Sequence, residues 1–223
     1  MYLSLLRLDL RSADVRRDLR DPYELHRTIM RAFPSVLDPE VEPRAFWGVL
    51  YRLEHNPRAD HVTLYVQSRV EPDWSFIEPH SLIRDSVPNP ATKSVADVYH
   101  RLRPGRVLRF RLRANPTKKI DTKSDEAGNR RNGRRVPLLK TEEQIEWLAR
   151  KASQHGFDLR SATIAASGAG ERVRSRAVGG VFQGVLYEGQ LCVRDAEVFG
   201  AALANGIGPG KAFGFGLLSI APP

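Results

Sequence analysis

The chain has 223 residues, 41% of them hydrophobic, with 35 Lys and Arg against 26 Asp and Glu and a formal net charge of +9. That length suits one large domain or two compact ones, and the hydrophobic share is ordinary for a protein that buries a core. Cys192 is the only cysteine, which excludes an internal disulfide framework and a multi-cysteine zinc site. No apolar run approaches the roughly 20 residues of a membrane helix, and the opening residues carry neither a basic leader nor a small-residue cleavage site, so a cytoplasmic protein without a signal peptide or membrane partner is expected.

The chain opens with an apolar strand over Tyr2–Asp9, followed by a helix from Pro22 to Phe33 that Pro34 stops. Two runs rich in β-branched and aromatic residues, Phe46–Leu53 and Val62–Gln67, read as strands. Residues 72–104 carry several prolines and read as connecting structure with one short final element. A second unit begins at an alternating strand. Leu108, Phe110 and Leu112 face one way and Arg109, Arg111 and Arg113 the other. The polar, glycine-containing stretch 115–135 is too charged to pack. Thr141–Ala152 is a helix with Thr141 as N-cap and Glu142 and Glu143 in its first turn. Strands follow at Phe157–Ala165 and Val181–Val193, the latter turning at Glu188-Gly189. A short helix over Ala196–Ala204, a glycine-rich loop and a strand over Phe213–Ile220 close the chain.

Each unit is compatible with βαββαβ order, the split βαβ arrangement of a ferredoxin-like domain, although the last helix and strand of the first unit have no clear place. The predicted fold is therefore α+β, two tandem ferredoxin-like domains. The first covers residues 1–90, a linker 91–104, and the second 105–223.

Charge is concentrated in the middle. Residues 101–140 hold 14 Lys and Arg against three Asp and Glu, a balance of +11, so the rest of the chain sums to −2. Such a block is the footprint of a polyanion partner. Its basic stretches include Arg109, Arg111, Arg113, Lys118 and Lys119, the pairs Arg130-Arg131 and Arg134-Arg135, and, further on, Arg172, Arg174 and Arg176 in alternation. Against RNA, whose deep and narrow major groove hides the bases, such segments read phosphates and shape.

The segment Asp21–Arg27 is the most specific in the chain. Asp21 and Glu24 have capping-box spacing and Pro22 sits at the first helical position. Leu25, Ile29, Ala32 and Phe33 form the buried face, His26 lies on its border, and Tyr23 is three residues from His26. A phenol, an imidazole and a guanidinium thus meet near a helix N-terminus. RNA cleavage without a metal uses such parts, because histidine serves as acid or base near neutral pH. Tyr23 can orient a 2′-hydroxyl or share its proton, and Arg27 or Arg31 can offset phosphate charge. The bland reading is a boundary histidine beside an apolar face.

Residues 206–216 form a glycine-rich run, with Gly208, Gly210 and Lys211 at its centre. It is not a Walker A loop, since Asn205 stands in place of the first glycine and Ala212 in place of Ser or Thr. Its backbone can still approach a phosphate closely, or it is simply a tight helix-to-strand connection. The six histidines show neither HxH nor HExxH spacing, so neither metal nor cofactor is expected.

Four segments in collinear order, DPYELHRT (21–28), FRLRANPTK (110–118), GVLYEGQL (184–191) and GIGPGKAFGFGLLSI (206–220), resemble the CasE-type CRISPR repeat endoribonucleases of the RAMP superfamily. The resemblance implies two tandem ferredoxin-like domains and a metal-independent cut 3′ of a hairpin in CRISPR repeat RNA, leaving a 2′,3′-cyclic phosphate and a 5′-hydroxyl. It places the family's active-site Tyr and His on Tyr23 and His26, its glycine-rich loop on 206–216 with Lys211, and its basic β-hairpin on about Arg172–Arg176. It further implies that the enzyme stays on its crRNA product among the other Cascade subunits. Residues 121–135 look like an insertion. A catalytically silent RNA-binding subunit of the same fold is the alternative.

Overall fold

The computed structural model describes residues 1–55, 58–120, 134–164, 171–175 and 180–223. Tyr2–Asp9 (β1) buries Ser4, Leu6 and Leu8 on one face, and two helices, Ala13–Arg20 (α1) and Pro22–Met30 (α2), cover that face. A four-residue helix, Pro43–Phe46 (α3), leads into the strands Leu50–His55 (β2) and His61–Ser68 (β3). Alternation in β3 turns Val62, Leu64 and Val66 inward, where they meet Leu6, Val15, Leu25 and Ile29 in one core. Each such side chain contributes about 1.5–3 kcal/mol by leaving water. Ala91–Ser94 (β4) then pairs with β1, giving the antiparallel order β2-β3-β1-β4. This is the ferredoxin-like order, with the second helix reduced to a single 3₁₀ turn at Pro79–Ser81.

A short helix, Ala96–His100 (α4), bridges to the second unit. There Val107–Ala114 (β5) is followed by a two-stranded hairpin of Thr117–Ile120 (β6) and Arg134–Pro137 (β7), then the helix Thr141–Gln154 (α5). Phe157–Ile164 (β8), Glu171–Ser175 (β9) and the long strand Gly180–Val193 (β10) come next, then the helix Ala196–Asn205 (α6) and the strand Leu218–Ala221 (β11). The order β11-β5-β10-β8 is the same fold again, with β9 an extra strand paired to Gly180–Gly184 of β10. Phe110, Leu112, Trp147, Leu148, Phe157, Tyr187 and Phe199 form the second core. Among the described residues no helix is long and apolar enough to cross a membrane.

Several sequence expectations need correction. The predicted strand at Phe46–Leu53 begins only at Leu50, because Pro43 and the Glu42 cap, which accepts from the Ala45 amide at 2.9 Å, start a helical turn first. Sequence reasoning missed the polar helix α1, since only Val15 and Asp18 of its eight residues are buried and its apolar stripe is no more than Val15 and the partly buried Leu19. Residues 91–104 contain both β4 and α4. Lys140, not Thr141, stands at the N-cap of α5. No turn occurs at Glu188-Gly189, where β10 runs straight through. Gly189 is needed there because a Cβ would lie 2.1 Å from the Ser161 carbonyl oxygen of β8. The last strand is shorter than predicted, as Gly214 and Gly216 take positive φ and break extended pairing before Leu218. Residues 121–133 and Arg176 lie outside the described residues.

The two units meet along β2, β3, β5 and β11. Arg52 of β2 is 3% exposed; its guanidinium pairs with Glu54 at 2.8 Å and donates to Ser219 Oγ at 2.8 Å and to the Leu217 carbonyl at 3.3 Å. Glu54 also takes Arg111 of β5 at 2.8 Å. Gln67 of β3 donates to the Leu203 carbonyl at 2.7 Å and accepts from the Tyr99 hydroxyl at 3.1 Å. Buried polar groups are thus satisfied across the junction, as burial demands.

Candidate active site at the domain junction

The N-terminus of α2 is set by Asp21, whose carboxylate accepts from the Tyr23 amide at 2.9 Å, with Pro22 at the first helical position. Glu24 pairs instead with Arg27 at 2.6 Å. The helix ends in i→i−3 bonds from the amides of Arg31, Ala32 and Phe33 before Pro34. Leu25 and Ile29 anchor α2 in the first core, which leaves Tyr23 40% exposed and His26 half-buried at the border.

His26 stacks on Tyr51 of β2, ring centroids 6.5 Å apart and planes 17° from parallel. Its Nδ1 is buried and has no hydrogen-bond partner among the described residues. Burial lowers the imidazole pKa, and Arg44 lowers it further while Glu42 opposes, so the neutral ring is favoured. Tyr51 is 1% exposed, and its hydroxyl donates to the Ala212 carbonyl at 3.0 Å and the Pro22 carbonyl at 3.3 Å. One phenol therefore ties the start of α2 to the glycine-rich loop of the other domain. Sequence reasoning missed Tyr51 and Arg44; neither stands in a recognisable motif, and only the fold brings them to His26.

The loop itself is built around a 3₁₀ turn, Lys211–Phe213, flanked by Gly210 and Gly214 in the left-handed region at φ 82° and 80°. This turn packs against both α2 and β2. Lys211 is half-buried. Burial and the nearby cations Arg44 and Lys151 depress its pKa. The loop base closes through the Ile207 amide, which donates to the Gly216 carbonyl at 2.9 Å.

Of the predicted residues, the fold thus gathers Tyr23, His26, Gly210 and Lys211 around one junction. Arg113 is nearby, its guanidinium 4.9 Å from the Phe215 ring centroid. Arg27 and Arg31 lie on or just beyond α2, the former in its ion pair and the latter 4.4 Å over the Phe76 ring. The remaining arginines of β5 have other employment. Arg111 bridges Glu54 and Glu188, the latter at 2.5 Å, and Arg109 donates to the Pro222 carbonyl at 2.8 Å. Their face of β5 meets the first domain's Glu54 instead of standing clear. Lys118 pairs with Glu143 at 2.9 Å, and Lys119 is exposed on β6. Arg172 and Arg174 belong to β9, a strand that contacts α2. Gly208 is in the loop beside Trp147. Among the described residues no group of three or more His, Cys, Asp or Glu is placed to hold a metal.

A family profile described as CRISPR associated protein matches residues 1–222. The chain is 36% identical over 241 residues to CRISPR-associated endoribonuclease Cse3 of Thermus thermophilus, covering all of both chains. The chain belongs to the Cse3/CasE family of CRISPR-associated proteins. It is also 33% identical over 215 residues to the Cascade subunit CasE of Escherichia coli, covering 91% of this chain and 93% of the other. The structure of Thermus thermophilus Cse3 bound to an RNA representing a pre-cleavage complex superimposes with a TM-score of 0.79 at 35% identity, across 99% of this chain and 98% of that one. Membership in the Cse3/CasE family agrees with the doubled ferredoxin-like fold.

Proposed function

We propose that the protein is a cytoplasmic, metal-independent endoribonuclease that cuts CRISPR repeat RNA 3′ of its hairpin and remains on the crRNA as a Cascade subunit. The observation that carries this reading is the junction of a neutral-favoured His26, an exposed Tyr23 and a cationic glycine-rich loop in a chain related along its whole length to Cse3. His26 takes the proton of the ribose 2′-hydroxyl at the scissile nucleotide. The 2′ oxygen then bonds to the adjacent phosphorus, and the bond from phosphorus to the 5′ oxygen breaks. Tyr23 supplies the proton to that departing oxygen. The products are a 2′,3′-cyclic phosphate and a 5′-hydroxyl. Lys211 and the loop amides stabilise charge on the phosphorane, a role fixed donors perform without reorganising. Arg172 and Arg174 on the β9–β10 hairpin, with Arg27, Arg31, Arg113 and Lys119, hold the RNA.

His26→Ala is expected to lose cleavage of a repeat hairpin by at least about a hundredfold, the usual share of a general base, while retaining RNA affinity. Unchanged cleavage would remove His26 from the mechanism and favour a silent RNA-binding subunit. Cleavage in EDTA should match that without it, and a single 2′-deoxy substitution at the scissile ribose should block the reaction.

A further inference from the structure

Beside the glycine-rich loop lies a cleft of about 470 Å³ that neither Tyr23 nor His26 lines. Its walls carry Arg135 of β7, Arg150 and Lys151 from the C-terminal part of α5, His155 just beyond that helix, and Lys211. Among the described residues no acidic side chain lines it. Among the described residues, none of these five side chains is in an ion pair. Lys151 donates to Gln154 Oε1 at 2.9 Å and Arg135 to Thr117 Oγ1 at 3.4 Å. The contrast with Arg109, Arg111 and Lys118, all bound to carbonyls or carboxylates, is sharp. Four converging cations without a counter-charge among the described residues await an anion, and His155, held toward the neutral form by burial, Lys151 and Lys211, adds a hydrogen-bonding edge.

The cations also form a track. Arg135, Arg150, Lys151 and Lys211 line the one cleft, and Lys211 belongs to the turn that packs against α2, the helix of His26. Their charges are coupled, Lys211 to Arg44 and Lys151, and Lys151 to Arg135 and Arg150. Arg44 is the cation that acts on His26. The positive strip therefore runs from the imidazole, past the loop, into the cleft. A linear polyanion fits such a strip better than a compact one.

We propose that this cleft holds the phosphodiester backbone of single-stranded RNA leaving the base of the hairpin, with Arg150, Lys151 and His155 as contacts beyond the scissile site. This rests on the endoribonuclease reading above and adds to it a place for the unpaired flank. Either strand at the stem base, 5′ or 3′, offers the same phosphates, so the experiment separates them.

Arg150→Gln/Lys151→Gln keeps good helix formers in α5 and removes two cations. Binding is measured by fluorescence anisotropy with full-length protein and repeat hairpins carrying a 2′-deoxy scissile ribose, bearing both flanks, the 5′ flank, the 3′ flank or none. Wild type should bind the doubly flanked RNA more tightly than the bare hairpin. In the double variant that affinity ratio should fall about tenfold near physiological salt, and the log–log salt slope for flanked RNA should become shallower by about 1.4, from two contacts at ~0.7 each. The single flank that reproduces the difference between proteins is the occupant. An unchanged ratio, or equal weakening of flanked and bare hairpins, would overturn the proposal and make these residues bystanders or stem contacts. Wild-type cleavage of the all-ribose hairpin is the control. Its absence would bring down the endoribonuclease reading and this inference with it, whereas normal cleavage with an unchanged ratio brings down this inference alone.

Discussion

The proposed chemistry turns on the pair His26 and Tyr51. A histidine whose folded pKa lies below the ordinary 6.5 binds fewer protons than the unfolded chain at mildly acidic pH. Its neutral form therefore adds to stability above that value, and the contribution is lost as pH falls through the folded pKa. In the proposed mechanism the same shift keeps the ring ready to accept a proton. Titration of the His26 ring by NMR should give a midpoint below 6.5 in the free protein and a higher one with 2′-deoxy-blocked repeat RNA, whose phosphates favour imidazolium. A midpoint at or above 6.5 without RNA would contradict the burial argument. Tyr51→Phe keeps the stacked ring but deprives the Pro22 and Ala212 carbonyls of their shared donor. The expected cost is about 1–2 kcal/mol of stability. Well below the melting transition, kcat should drop severalfold while RNA affinity stays within about twofold, because Tyr51 positions the helix and loop without reaching the substrate. Equal loss in kcat and affinity would argue for general loosening.

At the scale of elements, strong local patterns were legible and tertiary compromises were not. Tyr2–Asp9 was read to its end residues, and the alternation of Leu108, Phe110 and Leu112 against three arginines located β5. The Asp21-Pro22 start of α2 was equally plain, so Tyr23 and His26 could be placed as neighbours before any fold was known. What the arginine face of β5 meets was beyond reach, because Glu54 lies 57 residues away and only packing of the two sheets brings it to Arg111. Tyr51 was hidden for the same reason. Gly189 shows the converse error, a turn residue by local statistics that is a strand residue by packing. Gly189→Ala would force a Cβ against the backbone of β8, where no side-chain rotation relieves it. Overpacking of this kind costs about 3 kcal/mol, and hydrogen exchange should show β8 amides opening first. Wild-type protection in β8 would mean that the strands separate freely there.

On the scale of the whole molecule, the proposed active site exists only while the two domains stay docked, since Tyr23 and His26 come from one and Lys211 from the other. The middle of the chain supplies part of that docking. Arg111 spends its charge on Glu54 and Glu188, and Glu54 simultaneously neutralises Arg52, a guanidinium almost wholly out of water and 5.3 Å over the Tyr65 ring. Removing one partner from such a group leaves a buried charge uncompensated, which costs about 3–5 kcal/mol when both are fully buried. Glu54 remains 24% exposed, so Glu54→Gln should cost somewhat less, about 2–3 kcal/mol after solvent screening. At roughly 2–4 °C per kcal/mol for a chain of this size, the melting midpoint should fall by about 5–10 °C. Cleavage should fail at a lower temperature in the variant than in wild type, in step with that midpoint. RNA that bridges both domains should recover part of the loss, because a ligand bound only by the docked form stabilises it by mass action. A variant that melts within a degree of wild type would show that apolar contact along β2 and β11, not the arginine–glutamate chain, holds the domains together.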